Sequence, residues 1–154
     1  MKTLLHYISL TLLVLTFFSL ASCKQKSVDP KELYLQSLTC ADTTYVLSQA
    51  SACMEELKNG NLEQFVQMLA TIDSTGAAVP LSTTKAQSMI HMYENMSITD
   101  YALNTYEFDA PDSNPIRYRV SFGKDPETGI ALATGFALNA VKVGDSWVVT
   151  ILDK

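Results

Sequence analysis

Histidine, arginine and cysteine are all scarce in this chain of 154 residues, which has two histidines (His6 and His91), two arginines (Arg117 and Arg119) and three cysteines. Past the apolar N-terminus only one histidine remains, with no Cys-x-x-Cys and no carboxylate cluster at ligand spacing, so the pattern argues against a transition-metal site and implies no cofactor. Basic charge is short as well. Eleven Lys and Arg face sixteen Asp and Glu, a net charge of −5, which speaks against nucleic acid as a partner and against purely electrostatic docking on a membrane. No internal repeat or low-complexity tract appears, and beyond residue 20 no apolar run approaches the roughly 20 residues needed to span a bilayer.

What is present begins with an address. Lys2 precedes an apolar run from Leu4 to Leu20, followed by Leu20-Ala21-Ser22-Cys23. A short basic region, an apolar core and small residues before a break describe a signal peptide, 1–22. The Leu-Ala-Ser-Cys ending resembles the bacterial lipoprotein signal; an ordinary secretory signal with an incidental Cys is the alternative. The resemblance implies cleavage before Cys23 and acylation of its thiol by diacylglycerol and palmitate-type chains, each buried methylene contributing roughly 0.8 kcal/mol to membrane attachment. The membrane would then be one partner, and the bacterial cell envelope, at the outer membrane, the location. Residues 23–29 read as a tether, whose Lys24 and Lys26 either touch anionic head groups or are simply solvated. Without Lys2, residues 23–154 carry ten basic and sixteen acidic residues, a net charge of −6. Residues 30–154 have the size of one domain with a real core.

Asp29-Pro30 is a helix-start signal and predicts a short helix over Lys31 to about Thr39. A longer helix is predicted from near Thr43 to Lys58, because Val46, Ala50, Cys53, Met54 and Leu57 fall on one helical face, and Asn59-Gly60 ends it. Asn61, with Gln64 three residues on, predicts a capped third helix burying Leu62, Phe65, Val66 and Leu69. Thr71 to Leu81 reads as loop. A fourth helix is expected after Ser82 or Thr83, with Ala86, Met89, Ile90 and Tyr93 inward.

Strands are expected at roughly 98–108, 116–122, 130–143 and 146–152. A two-residue loop at Gly144-Asp145, glycine first as a type II′ turn prefers, sets Leu138 opposite Ile151 and Ala140 opposite Val149. Counting across Gly123–Gly129 sets Phe122 opposite Ile130, Val120 opposite Leu132 and Ile116 opposite Phe136. Counting across Asp109–Pro115 sets Glu107 opposite Arg117 and Thr105 opposite Arg119. Helices first and a meander afterwards make an α+β domain, with N-terminal helices packed on a curved, cone-like antiparallel sheet.

At this point MEELKNGNLEQFVQML (54–69) and the terminal KVGDSWVV (142–149) resemble the small lipoproteins with a nuclear-transport-factor-2-like domain. The resemblance covers roughly Ser51 to Lys154. It implies a cone formed by helices and a bent sheet, and for many relatives an unassigned role; the superfamily also holds SnoaL-like isomerases, cyclases and dehydratases, so the fold alone assigns no chemistry.

No catalytic residue is assigned. The candidate pocket is the aromatic interior of the cone: Tyr93, Tyr118, Phe136, Leu138 and Trp147, suited to a small apolar ligand of unknown identity or a protein partner. The enzyme alternative would use Asp100 or His91 as base, with Glu94 and the hydroxyls of Tyr93, Tyr101, Tyr106 and Tyr118 nearby. His91 shares a helix face with Gln87 and Glu94 and is otherwise a solvated residue. Arg117 and Arg119 either grip an anion or sit in cross-strand pairs. Cys40 and Cys53 bridge only if the helix holding Cys53 starts late or the chain before it folds back alongside; otherwise Cys53 is a small buried hydrophobe. Ala131, Ala133, Gly135 and Ala137 form a row of small residues that either accepts a second copy, giving a homodimer through the sheet face, or lies under a loop or the first helix.

Overall fold

The computed structural model describes residues 29–152, so the expected signal peptide, the expected lipidation site Cys23 and most of the expected tether lie outside the described residues. The first helix, α1, spans Pro30–Ser37, with the Asp29 side chain accepting from the Lys31 N–H. Only Tyr34 of this helix is buried. Its hydroxyl donates to Asn114 Oδ1 at 3.0 Å and so ties α1 to the loop at 109–114.

The long helix α2 covers Cys40–Lys58 and buries Val46, Ala50, Cys53, Met54 and Leu57, the five residues its periodicity selects. It starts three residues earlier than expected. Thr39 and Asp42 form a capping box there: the Thr39 hydroxyl accepts from Asp42 N–H, while the Asp42 carboxylate accepts from Thr39 N–H. Cys40 is therefore already helical and about 20 Å along the axis from Cys53 at 1.5 Å per residue, far beyond bridging distance. Both thiols are free, Cys40 exposed and Cys53 buried.

After Gly60, whose φ of +74° suits only glycine well, comes α3, Leu62–Gln67, with Phe65 and Val66 buried. Asn61 does not cap it, because its amide donates instead to Glu56 Oε2 at 2.8 Å. The segment expected as loop holds a small hairpin, β1 (Ala70–Ile72) paired antiparallel with β2 (Ala78–Pro80). Asp73 Oδ1 folds its turn by accepting from the N–H groups of Thr75 and Ala77. Helix α4 is Thr83–Tyr93, capped by Ser82.

The main sheet has the order β3-β4-β5-β6, from β3 (Asp100–Tyr106), β4 (Pro115–Lys124), β5 (Ala131–Val143) and β6 (Ser146–Ile151). A bridge between Leu69 and Val149 joins the start of the small hairpin to β6. The final hairpin has the expected register, Leu138 opposite Ile151 and Ala140 opposite Val149, around Gly144 at φ +60°.

The other two registers differ from the count. Ile116 lies opposite Leu138, Tyr118 opposite Phe136 and Val120 opposite Thr134, because the turn closes later, between Asp125 and Ile130, and a bulge separates Ser121 from Lys124. The shift is two residues, an even number, so the apolar side chains keep their face. Ile130 and Leu132, expected as partners of Phe122 and Val120, are left 65% and 45% exposed. In β3 a bulge between Leu103 and Thr105 puts Thr105 opposite Arg117 and Ala102 opposite Arg119. The Glu107 carboxylate still comes within 3.7 Å of the Arg117 guanidinium from beyond the strand end.

Phe136, Leu138, Trp147 and Ile151 share one face of the sheet and belong to one core with the stripe of α2, Phe65 and Leu69. The molecule is α+β, helices on an antiparallel sheet. On the other face Asn139 and Val141 are buried, while Ala131, Ala133 and Gly135 are exposed.

Candidate functional site

The five residues expected to line a pocket are divided by the structure. Tyr93 and Phe136 pack edge to face at 5.7 Å between centroids, and each meets Phe65, at 5.9 and 6.3 Å. Leu138 is fully buried. Tyr118 packs on Tyr101 at 5.8 Å, and burial pushes its phenol up to about 12. These four are core side chains in contact with other core side chains. Trp147 lies elsewhere, at the edge of the sheet.

The position of Trp147 follows from the start of α2. The capping box orients Asp42, whose Oδ1 accepts from the Trp147 indole N–H at 2.8 Å, while its Oδ2 accepts from the Thr39 hydroxyl at 2.7 Å. These bonds, that from Trp147 first, hold the Asp42 carboxyl down at about 2. Lys142, opposite Trp147 in the ladder, places its ammonium 5.5 Å from the indole ring centroid and 3.9 Å from Asp42 Oδ1. Phe108 meets the ring edge at 5.9 Å. The indole is thus fixed from three sides.

Its remaining side lines a cleft of about 300 Å³ between α2, the β1–β2 hairpin and β6. Val46, Met68, Leu69, Ala140 and Val149 contribute apolar surface, the hairpin adds Ala78, Val79 and Pro80, and Gln49 and Gln67 supply side-chain amides. The volume is at the lower end of the roughly 300–1,000 Å³ of small-molecule sites. Trp147 is the one expected pocket residue in this lining. The hairpin was missed because Asp73-Ser74-Thr75-Gly76 and Pro80 read as loop; the Thr71-Ile72 and Ala78-Val79 pairs on either side were the available strand signal.

The acid–base candidates lie away from the cleft. The His91 side chain is 84% exposed, and its Nδ1 pairs with Glu94 Oε1 at 2.8 Å. Asp100 is exposed at the start of the edge strand β3, opposite Ser121. Arg119 stands opposite Ala102 and Gly135, so its two ladder neighbours offer no charge.

Against known proteins, no family model and no curated protein matches. Solved structures do. A nuclear-transport-factor-2-like protein from Campylobacter jejuni, named as a candidate transpeptidase, is 16% identical, with a TM-score of 0.42 over 68% of this chain and 96% of its own. A nuclear-transport-factor-2-like protein of unknown function from Shewanella oneidensis MR-1 is 14% identical, with a TM-score of 0.45 over 70% of this chain and 93% of its own.

Proposed function

We propose that this chain is a lipid-anchored bacterial envelope protein, acylated at Cys23, whose nuclear-transport-factor-2-like domain binds a small, mainly apolar ligand without transforming it. The observation that supports the binding role best is the cleft beside Trp147: it is bounded by apolar side chains from three elements, and its tryptophan is pinned by Asp42 rather than left to collapse into the space. The Leu-Ala-Ser-Cys motif supports the anchor. The exposed row Ala131, Ala133 and Gly135 is the surface through which two copies would pair.

Two measurements test the reading. Expressed in a bacterium, the full chain should fractionate with membranes and carry the mass of a diacylglyceryl cysteine, and Cys23→Ala should abolish both; a soluble, unmodified wild-type protein would refute the anchor. Native mass spectrometry of the purified protein should show a retained small molecule that Trp147→Ala releases. Retention undisturbed by that substitution would place binding elsewhere.

A further inference from the structure

The composition of the cleft wall restricts its occupant further, on the reading that the cleft is a ligand site. Among the described residues, none of the side chains that line it is Asp, Glu, Lys, Arg or His. The charges in contact with Trp147, Asp42 and Lys142, face each other at 3.9 Å and are already engaged with the indole, so together they offer no net charge to a guest. An ion entering this space would lose hydration with no counter-charge to replace it, which strongly opposes binding. The polar capacity of the wall lies instead in Gln49, half-buried on α2, and Gln67, at the end of α3. Gln67 is exposed, so a guest's polar end would take the place of water on these amides.

We infer that the cleft selects an uncharged molecule with an apolar body, which packs between Trp147, Met68, Val149 and Pro80, and with one amide-like or hydroxyl-like end that meets Gln49 and Gln67. A carboxamide can donate to one glutamine oxygen while accepting from the other glutamine's NH₂. Fatty-acid-like anions and alkylammonium cations of the same length are rejected.

The experiment uses the mature, lipidated protein in phosphatidylcholine vesicles, because Trp147 is the only tryptophan in the chain and its fluorescence reports occupation of the cleft. Hexanamide, hexanoate and hexylammonium are titrated at pH 7, with benzene as an apolar probe and protein-free vesicles as the partition control. Hexanamide should bind at least about tenfold more tightly than either ion, since an unpaired charge loses far more on burial than a neutral amide that finds partners. Gln49→Leu should weaken hexanamide roughly fivefold to tenfold and leave benzene unchanged, the scale of one neutral hydrogen bond. Equal binding of hexanoate or hexylammonium, or an unchanged hexanamide affinity in Gln49→Leu, overturns this inference while the cleft remains a ligand site. Failure of every probe, benzene included, to alter Trp147 fluorescence overturns the cleft reading itself.

Discussion

Asp42 and Trp147 are 105 residues apart in sequence, and the indole N–H of one donates to the carboxylate of the other at 2.8 Å. The same carboxylate closes the capping box of α2. One side chain therefore joins the start of the main helix to the last strand, and it orients the ring that walls the cleft.

A dependence on acid follows. The Asp42 carboxyl is held at about 2, below the ordinary 3.8. A depressed folded-state value stabilises the fold above the unfolded value and loses that contribution as pH falls from about 4 to about 2. Thermal unfolding between pH 6 and pH 2 should show a falling midpoint for the native protein and a shallower fall for Asp42→Ala, already destabilised at pH 6. A residual slope is expected from Asp73 and Asp125, both also lowered by hydrogen bonds to neighbouring turn residues. In Asp42→Ala the Trp147 emission should move to the red.

Asn114 carries a second long-range link. Fully buried, it accepts from Tyr34 and from the Asp109 N–H at Oδ1, and it donates to the Ala140 carbonyl at 2.8 Å. Asn114→Ala removes the partner of the Tyr34 hydroxyl and the Asn114 bond to the Ala140 carbonyl, leaves the Asp109 N–H with the Ser113 carbonyl alone, and should cost about 2–4 kcal/mol in urea unfolding. Lost protection of Ala140 and Lys142 amides in hydrogen exchange would localise the damage, since these donate to Asn114 and Pro111 carbonyls. A cost below about 0.5 kcal/mol, typical of a neutral surface site, would contradict this role.

The two thiols of α2 should react very differently. Cys40 is exposed, whereas Cys53 is buried and burial pushes its thiol up to about 11. Only the thiolate attacks a disulfide reagent. In protein carrying Cys23→Ala, an aromatic disulfide reagent should modify one thiol rapidly and the second only as the protein unfolds; peptide mapping should assign the first to Cys40.

Phe65 is the hinge of the aromatic core, touching both Tyr93 and Phe136 with no exposure to solvent. Phe65→Ala should lose about 3–5 kcal/mol. A calorimetric scan checks this, and because none of these rings lines the cleft, a variant that stays folded should keep its ligand affinity.

Much of this architecture was legible one element at a time. The stripe of α2 and the register of the β5–β6 hairpin both came out as counted, because a helical period and a two-residue turn depend on neighbours in sequence. The register between β4 and β5 did not, since a bulge near Gly123 moves the pairing without any change in alternation. The five expected pocket residues do not share one cavity for a related reason: large apolar residues on one face announce burial, and burial does not distinguish a ring packed on a ring from a ring beside a void.

The sequence by itself determined the helices-then-meander order and the apolar face of the sheet, both of which rest on local pattern. Tertiary structure alone decided that a short hairpin meets β6 and that Trp147 finds Asp42. It also decided that a mainly apolar cleft opens at this edge, beside Gln49 and Gln67. A void is set by how far apart packed elements are held, and that distance depends on side chains from several elements meeting at once.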